Sequence, residues 1–305
     1  MKEIKKVGVI GLGALGSMYA KMFTDGIGRE NCYVLLDAAR VERYSREGTY
    51  YNGELYDYNY TDCAALTGPL DLILFSCKFS ALPQCIDQVK HLVGPGTILV
   101  SVLNGIASED LLCEAFGAEH VVWCYARWMA AKKIGNRVTI GERGQLVFGM
   151  PEGMPHDNLN SLTAFLSTFD FPFSTTEDIK TEMWGKLLCN DGLNQTTMVF
   201  DCDYSVMQQP GRPRDIMLGA MREVQAVANA EGYPVTDEIY ERWVAVVDNF
   251  DPHGETSMRQ DRMMKRKSEV GLYAGTIIPL AKKHGIPVPC NEWLMEQILK
   301  IEAEY

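Results

Sequence analysis

The sequence is short of positive charge. Its 29 Lys and Arg stand against 40 Asp and Glu, a formal net charge of −11. That excludes a general phosphate-backbone binder, which needs a basic face, so no nucleic-acid partner is expected. An anionic small molecule stays open, provided a few Lys, Arg, Asn or backbone N–H groups build its site locally. Long apolar runs are missing too. None reaches the roughly 18 residues of a membrane span, so no membrane partner and a cytoplasmic location are expected. No C-x-x-C occurs among the nine cysteines, whose number is odd and whose spacing is irregular. This argues against a disulfide frame and a zinc site, and for buried thiols in a reducing compartment. Repeats, low-complexity tracts and extended linkers are absent.

A length of 305 residues favours about two domains and a core that needs no cross-links. Lys2, Lys5 and Lys6 followed by VGVIGLGALG imitate a signal peptide, but four glycines in ten residues make a poor apolar segment. A strand running into a glycine-rich turn explains the same letters better. Strands are expected at 6–10, 32–36, 70–76 and 97–105, and another at 119–124. Helices are expected at 14–25, 39–47 and after residue 81. Strands alternating with helices imply a doubly wound, mainly parallel sheet. Asn52-Gly53 between alternating aromatic positions signals a hairpin. Residues 127–150 read as antiparallel strands added at the sheet edge. A helix at 159–169 and a strand at 171–175 complete an N-terminal domain of residues 1–177. From 178 to 305 the pattern is helical, with long segments near 180–199, 212–231, 236–249 and 268–283.

Gly11-Leu12-Gly13-Ala14-Leu15-Gly16 is a G-x-G-x-x-G between a strand and a helix, with Asp37 at the end of the next strand. This is the context that gives the pattern meaning as a dinucleotide-binding turn. Gly11 permits the tight turn, Gly13 lets backbone approach the pyrophosphate, and Gly16 lets helix and strand pack closely. Asp37 is placed to accept from a ribose 2′-OH, which favours NAD(H), while Arg40 and Arg43 offer the opposite preference.

Lys78 and Asn104 stand where apolar strands end, the place where open α/β sheets bind ligands. Each reads equally as a solvated turn residue. Lys186, Asn190 and Asn194 are spaced i, i+4, i+8 and fall within an arc of about 80° on a helix. Such a row is either a cleft wall or the wet face of an amphipathic helix. Ser257, Asp261 and Glu269 form a third polar group; Glu269 at the start of a helix also fits a first-turn acid. Lys265-Arg266-Lys267 is a solvated patch. Methionines and aromatics on the C-terminal helices fit either a core or the face of a homodimer.

Taken in order, these residues resemble the ketopantoate reductase family. The likeness runs from GLGALG through Lys78, the LNG around Asn104 and the K-L-L-x-N-x-x-x-N of 186–194 to S-M-x-Q-D at 257–261 and Glu269. The resemblance implies a Rossmann domain joined to an all-helical domain, with the active site in the cleft between them. It implies NADP(H) as cofactor and a 2-oxo acid, 2-dehydropantoate, as substrate, reduced to pantoate in the pantothenate and coenzyme A pathway. Lys186 would be the general acid, and Glu269 would orient it or the substrate. Asn190, Asn194, Ser257 and Asn104 would bind substrate. Gly11 to Gly16, Asp37, Lys78 and Asn104 would serve the cofactor. A lysine beside the positive oxidised nicotinamide should have a depressed pKa suited to proton transfer.

Three positions depart from the family pattern. Gly254 stands where Asn is common three residues before the Ser. Gln195 stands where Pro often follows the second Asn. Asp37 stands where a basic residue often meets the 2′-phosphate. The alternatives are a dehydrogenase for another branched 2-oxo acid and a nucleotide-sensing protein without turnover.

Overall fold

A computed structural model describes residues 2–305 and divides the chain into two compact units between Ile179 and Lys180. The first is built on one ten-stranded sheet. Its first half alternates β1 (Val7–Ile10), α1 (Ala14–Ile27), β2 (Cys32–Leu36) and α2 (Ala38–Glu47). Then come the short strands β3 (Thr49–Tyr51), β4 (Glu54–Tyr56) and β5 (Tyr60–Asp62). The second half runs β6 (Leu72–Phe75), α3 (Leu82–Val89), β7 (Ile98–Ser101), α4 (Ser108–Phe116), β8 (Val121–Ile134), β9 (Arg137–Gly149), α5 (Asp157–Leu166) and β10 (Phe173–Thr175).

The strand order is β4-β3-β9-β8-β7-β6-β1-β2-β5, with β10 beside β9. β1 pairs in parallel with both β2 and β6, so the chain reverses its direction of travel across the sheet beside β1. That is the crevice where doubly wound sheets bind ligands. VGVI of β1, LILF of β6 and ILVS of β7 are buried at every residue, as strands covered on both faces must be. α1 inserts Met18, Tyr19 and Phe23 into this core, and Phe23 stacks on Phe165 and Phe171.

The hairpin at Asn52-Gly53 forms as its sequence predicts. Both turn residues take positive φ, 48° and 91°. The strands of 127–150 are a correction. They do not trim an edge, for β9 lies inside the sheet between β8 and β3. β8 and β9 form one long hairpin, with a register shift between Met129 and Ala131. Its base adjoins β7. Its tip pairs Arg137 and Val138 with Tyr50 and Tyr51, just beyond α2. The strand expected at 119–124 and the start of the 127–150 hairpin are one strand, β8. They read as two because Trp128 takes a φ of 59° and the register shifts beside it, which breaks the alternation of period two.

The second unit is helical throughout: α6 (Ile179–Phe200), α7 (Tyr204–Met207), α8 (Arg212–Ala230), α9 (Asp237–Asp248), α10 (Ser257–Met263), α11 (Ala274–His284) and α12 (Pro289–Glu302). α6 is buried almost all round, polar positions included, and it packs against α8 and α9. Two of its glycines allow close packing. A Cβ on Gly192 would stand 2.7 Å from the Met217 carbonyl of α8, and one on Gly185 would stand 2.7 Å from the Trp243 indole nitrogen of α9. Met198, Met207, Met217, Met221 and Met258 are all buried within the chain, so these methionines belong to its core. The helix expected from 268 is also corrected: Glu269 precedes a single 3-10 turn, Val270–Leu272, and the α-helix starts only at Ala274. Among the described residues no helix is long and apolar enough to cross a membrane.

Candidate active site

In the first unit, four loops leave the carboxyl ends of neighbouring parallel strands. β1 leads to Gly11–Gly16, β2 to Asp37, β6 to Lys78 and β7 to Asn104. Lys78 is exposed and precedes a 3-10 turn; Asn104 is half-buried beside Gly105, whose φ is 89°.

The three glycines have different reasons. Gly11 has a φ of 95°, and a Cβ there would stand 2.6 Å from the backbone of Ser76 and Cys77. A Cβ on Gly16 would collide with the Gly11 carbonyl oxygen. Chain packing therefore explains both. It does not explain Gly13, where a Cβ would approach nothing closer than Ser76 O at 3.8 Å. Gly13 is exposed and caps α1 without any side-chain acceptor, and no acidic residue sits in the first turn. The helix thus begins with N–H groups and its positive dipole end beside a glycine with room around it, a cradle that fits a dinucleotide pyrophosphate.

Asp37, expected from the sequence to face a ribose, has a local job in the fold. Its Oδ1 accepts from Arg40 N at 2.8 Å, capping α2, and its Oδ2 lies 3.3 Å from Arg40 Nε. Sequence reasoning missed Lys133 altogether. From β8 its ammonium donates to the Leu12 carbonyl at 2.5 Å, inside the glycine-rich turn. Beside the Gly135-Asn136 turn it reads only as a solvated hairpin tip, and no signal in the letters would have found it.

In the second unit, α6 carries Lys186, Asn190 and Asn194. Lys186 and Asn190 are half-buried, and nearly every residue between Met183 and Met198 besides them is buried. The row is a narrow stripe on a buried helix, which the wet face of an amphipathic helix is not. Burial pushes the neighbouring Cys189 thiol up to about 12, with the charge of Lys186 acting against it. Asn194 Nδ2 donates to Asn190 O at 3.0 Å, which fixes the direction of its amide. Its Oδ1 accepts from Ser257 Oγ at 3.2 Å.

Ser257 is held there by the start of α10. Thr256 caps that helix, accepting from Arg259 N at 3.1 Å, and its hydroxyl lies 2.7 Å from that of Thr197 on α6. Arg262 donates to the carbonyls of Met198 and Val199, at 2.6 and 2.8 Å. Asp261 is buried and bonds Arg266 Nε at 2.8 Å, so it is structural, and Arg266 is not part of a free basic patch. Ser268, just before Glu269, donates through N and Oγ to Glu302 at 2.7 and 2.6 Å. Leu272 N then donates to Glu269 O at 2.8 Å. The half-buried Glu269 is therefore pinned on both sides by its backbone neighbours.

The departures at 195 and 254 have structural reasons. Gln195 is buried, and its amide donates to Asp191 O and to Asn291 Oδ1 of α12, at 3.1 and 3.2 Å. Gly254 lies against Tyr204, whose ring would stand 2.6 Å from a Cβ there. An asparagine at 254 would displace that ring. Among the described residues no cluster of three or more His, Cys, Asp or Glu is arranged to hold a metal ion.

The family model described as Ketopantoate reductase PanE/ApbA matches residues 7–153, and that for the C terminal part matches 178–302. A 2-dehydropantoate 2-reductase of Aquifex aeolicus is 24% identical, over 97% of this chain and 96% of its own. Among solved structures, D-mandelate dehydrogenase with NADH and anilino(oxo)acetate superposes with a TM-score of 0.87 at 19% identity, covering 98% of this chain and 99% of that one. A dimeric ketopantoate reductase from Staphylococcus aureus does so with a TM-score of 0.82 at 19% identity, covering 98% and 99%.

Proposed function

We propose that this chain, which belongs to the ketopantoate reductase family of oxidoreductases, reduces 2-dehydropantoate to pantoate with NADPH, a step in forming pantothenate and coenzyme A. The observation that carries this reading is the polar stripe of Lys186, Asn190 and Asn194 on an otherwise buried helix, with Asn194 tied to Ser257. The glycine turn would hold the pyrophosphate, and Lys78 and Asn104 would hold the ribose side. When bound, the reduced nicotinamide supplies the hydride.

The chain's own residues supply the rest. As the 2-oxo carbon is reduced, negative charge grows on its oxygen. A positioned ammonium stabilises that charge and then gives up a proton, the part assigned to Lys186. Asn190, Asn194 and Ser257 present amide and hydroxyl groups that suit a carboxylate and alcohols. Glu269 is an orienting carboxylate. Lys186 and Glu269 together weigh against a silent nucleotide sensor, which has no need of a proton donor.

Gly254 favours a second reading on the same plan, in which the substrate is a different 2-oxo acid. The Tyr204 ring fills the place where an Asn side chain would add a hydrogen bond, and the neighbour named D-mandelate dehydrogenase takes its name from a 2-hydroxy acid, the reduced form of such a 2-oxo acid. The test is turnover of 2-dehydropantoate and 2-oxo-2-phenylacetate with NADPH and NADH. Reduction of 2-dehydropantoate with the higher kcat/KM supports the first reading. Preference for the phenyl compound moves the assignment to the second. Nucleotide binding with no turnover of any 2-oxo acid sinks both. A homodimer, as in the Staphylococcus aureus protein, belongs to the same proposal and is checked by light scattering.

A further inference from the structure

We infer that Lys133 and Arg43 form a phosphate-binding pair at the glycine-rich turn, and that the group they take is the 2′-phosphate of the cofactor's adenosine. The inference rests on the nicotinamide-cofactor reading above and names what decides between its two forms.

The long hairpin brings Lys133 to this place. The two strands of the hairpin flank α1, where Tyr19 OH lies 3.4 Å from Met129 Sδ. Four residues further along β8, the Lys133 ammonium reaches Leu12 O at 2.5 Å. Leu12 stands between the glycine that makes the turn and the glycine that leaves the cradle open. From the other side comes α2, which starts at the end of β2. Its Tyr44 ring carries the Lys133 ammonium at 5.0 Å from the centroid and the Arg43 guanidinium at 4.8 Å. Two cations thus converge on one aromatic ring beside the dinucleotide turn.

Among the described residues, the Lys133 ammonium meets the Leu12 carbonyl, the Tyr44 ring and the charge of Arg43, and no carboxylate is paired with it. Asp37, the carboxylate at the end of β2, is committed to the α2 cap and to Arg40. Burial lowers the Lys133 ammonium to about 8, and the like charge of Arg43 adds to the lowering. A half-buried ammonium facing a second cation is costly unless an anion joins them. A doubly charged phosphate would relieve that repulsion and accept from both groups. The place selects which phosphate. The dinucleotide turn sends the pyrophosphate to the N-terminus of α1 and the adenosine ribose to the end of β2, and Arg43 and Tyr44 lie on the β2 side, on α2. Lys133 and Arg43 therefore do the work that the family pattern gives to a basic residue at position 37.

The test is direct binding to the full chain, without substrate, followed by nucleotide fluorescence for NADPH and NADH and by calorimetry for adenosine 2′,5′-bisphosphate and ADP. Lys133→Met keeps the apolar stem and removes the charge. It is expected to weaken NADPH and the 2′,5′-bisphosphate by about tenfold or more, the loss of one charge-assisted hydrogen bond. NADH and ADP should change by less than about twofold, because they lack the group that such a bond would serve. Lys133→Arg should restore most of the loss, and Arg43→Gln should repeat it. Equal weakening of both nucleotides would show that Lys133 only props the Leu12 loop and would overturn the inference, as would no weakening. If the wild-type chain binds neither nucleotide, the cofactor reading itself fails and this one falls with it. Those results differ from a chain that binds both nucleotides but is indifferent to Lys133.

Discussion

Ser257 Oγ donates to Asn194 Oδ1 at 3.2 Å, joining the first turn of α10 to the third polar position of α6 across 63 residues of sequence. The bond leaves the Asn194 amide held at both ends, since its nitrogen donates to Asn190 O. A fixed amide beside Lys186 and Asn190 is the kind of support a substrate-positioning residue needs, because its orientation is set before anything binds.

Lys186→Met should cut kcat for the 2-oxo acid by a factor of about 10² to 10⁴, the range for a lost general acid. Nucleotide affinity should be unchanged. Steady-state kinetics beside a binding titration checks both halves. Turnover close to wild type would remove Lys186 from the proton-transfer role.

Thr256→Val keeps the shape of a buried side chain and removes two hydrogen bonds, one to Arg259 N and one shared with Thr197. The cap alone is worth about 1 kcal/mol, and the lost bond to Thr197, whose hydroxyl still donates to the Leu193 and Asn194 carbonyls, adds about 1 kcal/mol more. Urea unfolding should register a loss of about 2 kcal/mol. KM for the 2-oxo acid should rise as well, because Ser257 rides on the same helix start. A variant as stable as wild type would show that α10 is not fastened this way.

Asp191 is fully buried on α6, and neither carboxyl oxygen has a hydrogen-bond partner. Burial, then the charge of Glu223, raises its pKa well above the usual 3.8; the amides of Asn291 and Gln195, too loosely placed to bond it, pull weakly the other way. The sign follows. Below the ordinary carboxylate range both folded and unfolded chains hold the proton, and ionisation of the group costs no stability. As pH rises past it, the unfolded chain releases the proton while the folded chain keeps it. Stability therefore falls, at about 1.4 kcal/mol per pH unit, until the folded pKa is reached. Asp191→Asn should remove this slope, so its melting temperature should exceed that of wild type more at pH 8 than at pH 5. An equal difference at the two pH values would mean that Asp191 is ionised in the fold.

Asp37→Ser retains a capping side chain for α2 and removes a negative charge beside Arg40. Its melting temperature should stay within a degree or two of wild type, since capping serines and aspartates are of similar worth. The ratio of NADPH to NADH affinity should rise. An unchanged ratio would mean that Asp37 faces neither form of the ribose, and that its work is the helix cap alone.

What the sequence determined by itself is the local half of this protein. The strands VGVI, CYVLL, LILF and ILVS, the helix after Gly13 and the Asn52-Gly53 turn were all legible, because burial on two faces, helical periodicity and positive φ each leave a mark within a few residues. The order of Lys186, Asn190, Asn194, Ser257 and Glu269 was legible too, though only as an order. Folding decided what those residues rest on. Thr197 meets Thr256, Ser257 meets Asn194, Glu302 holds the segment before Glu269, and Lys133 reaches Leu12 from 121 positions away. Such contacts carry no periodic signal. They depend on a bulge that bends one strand and on helices that pack at glycines, and those geometries exist only once the whole chain has closed on its core.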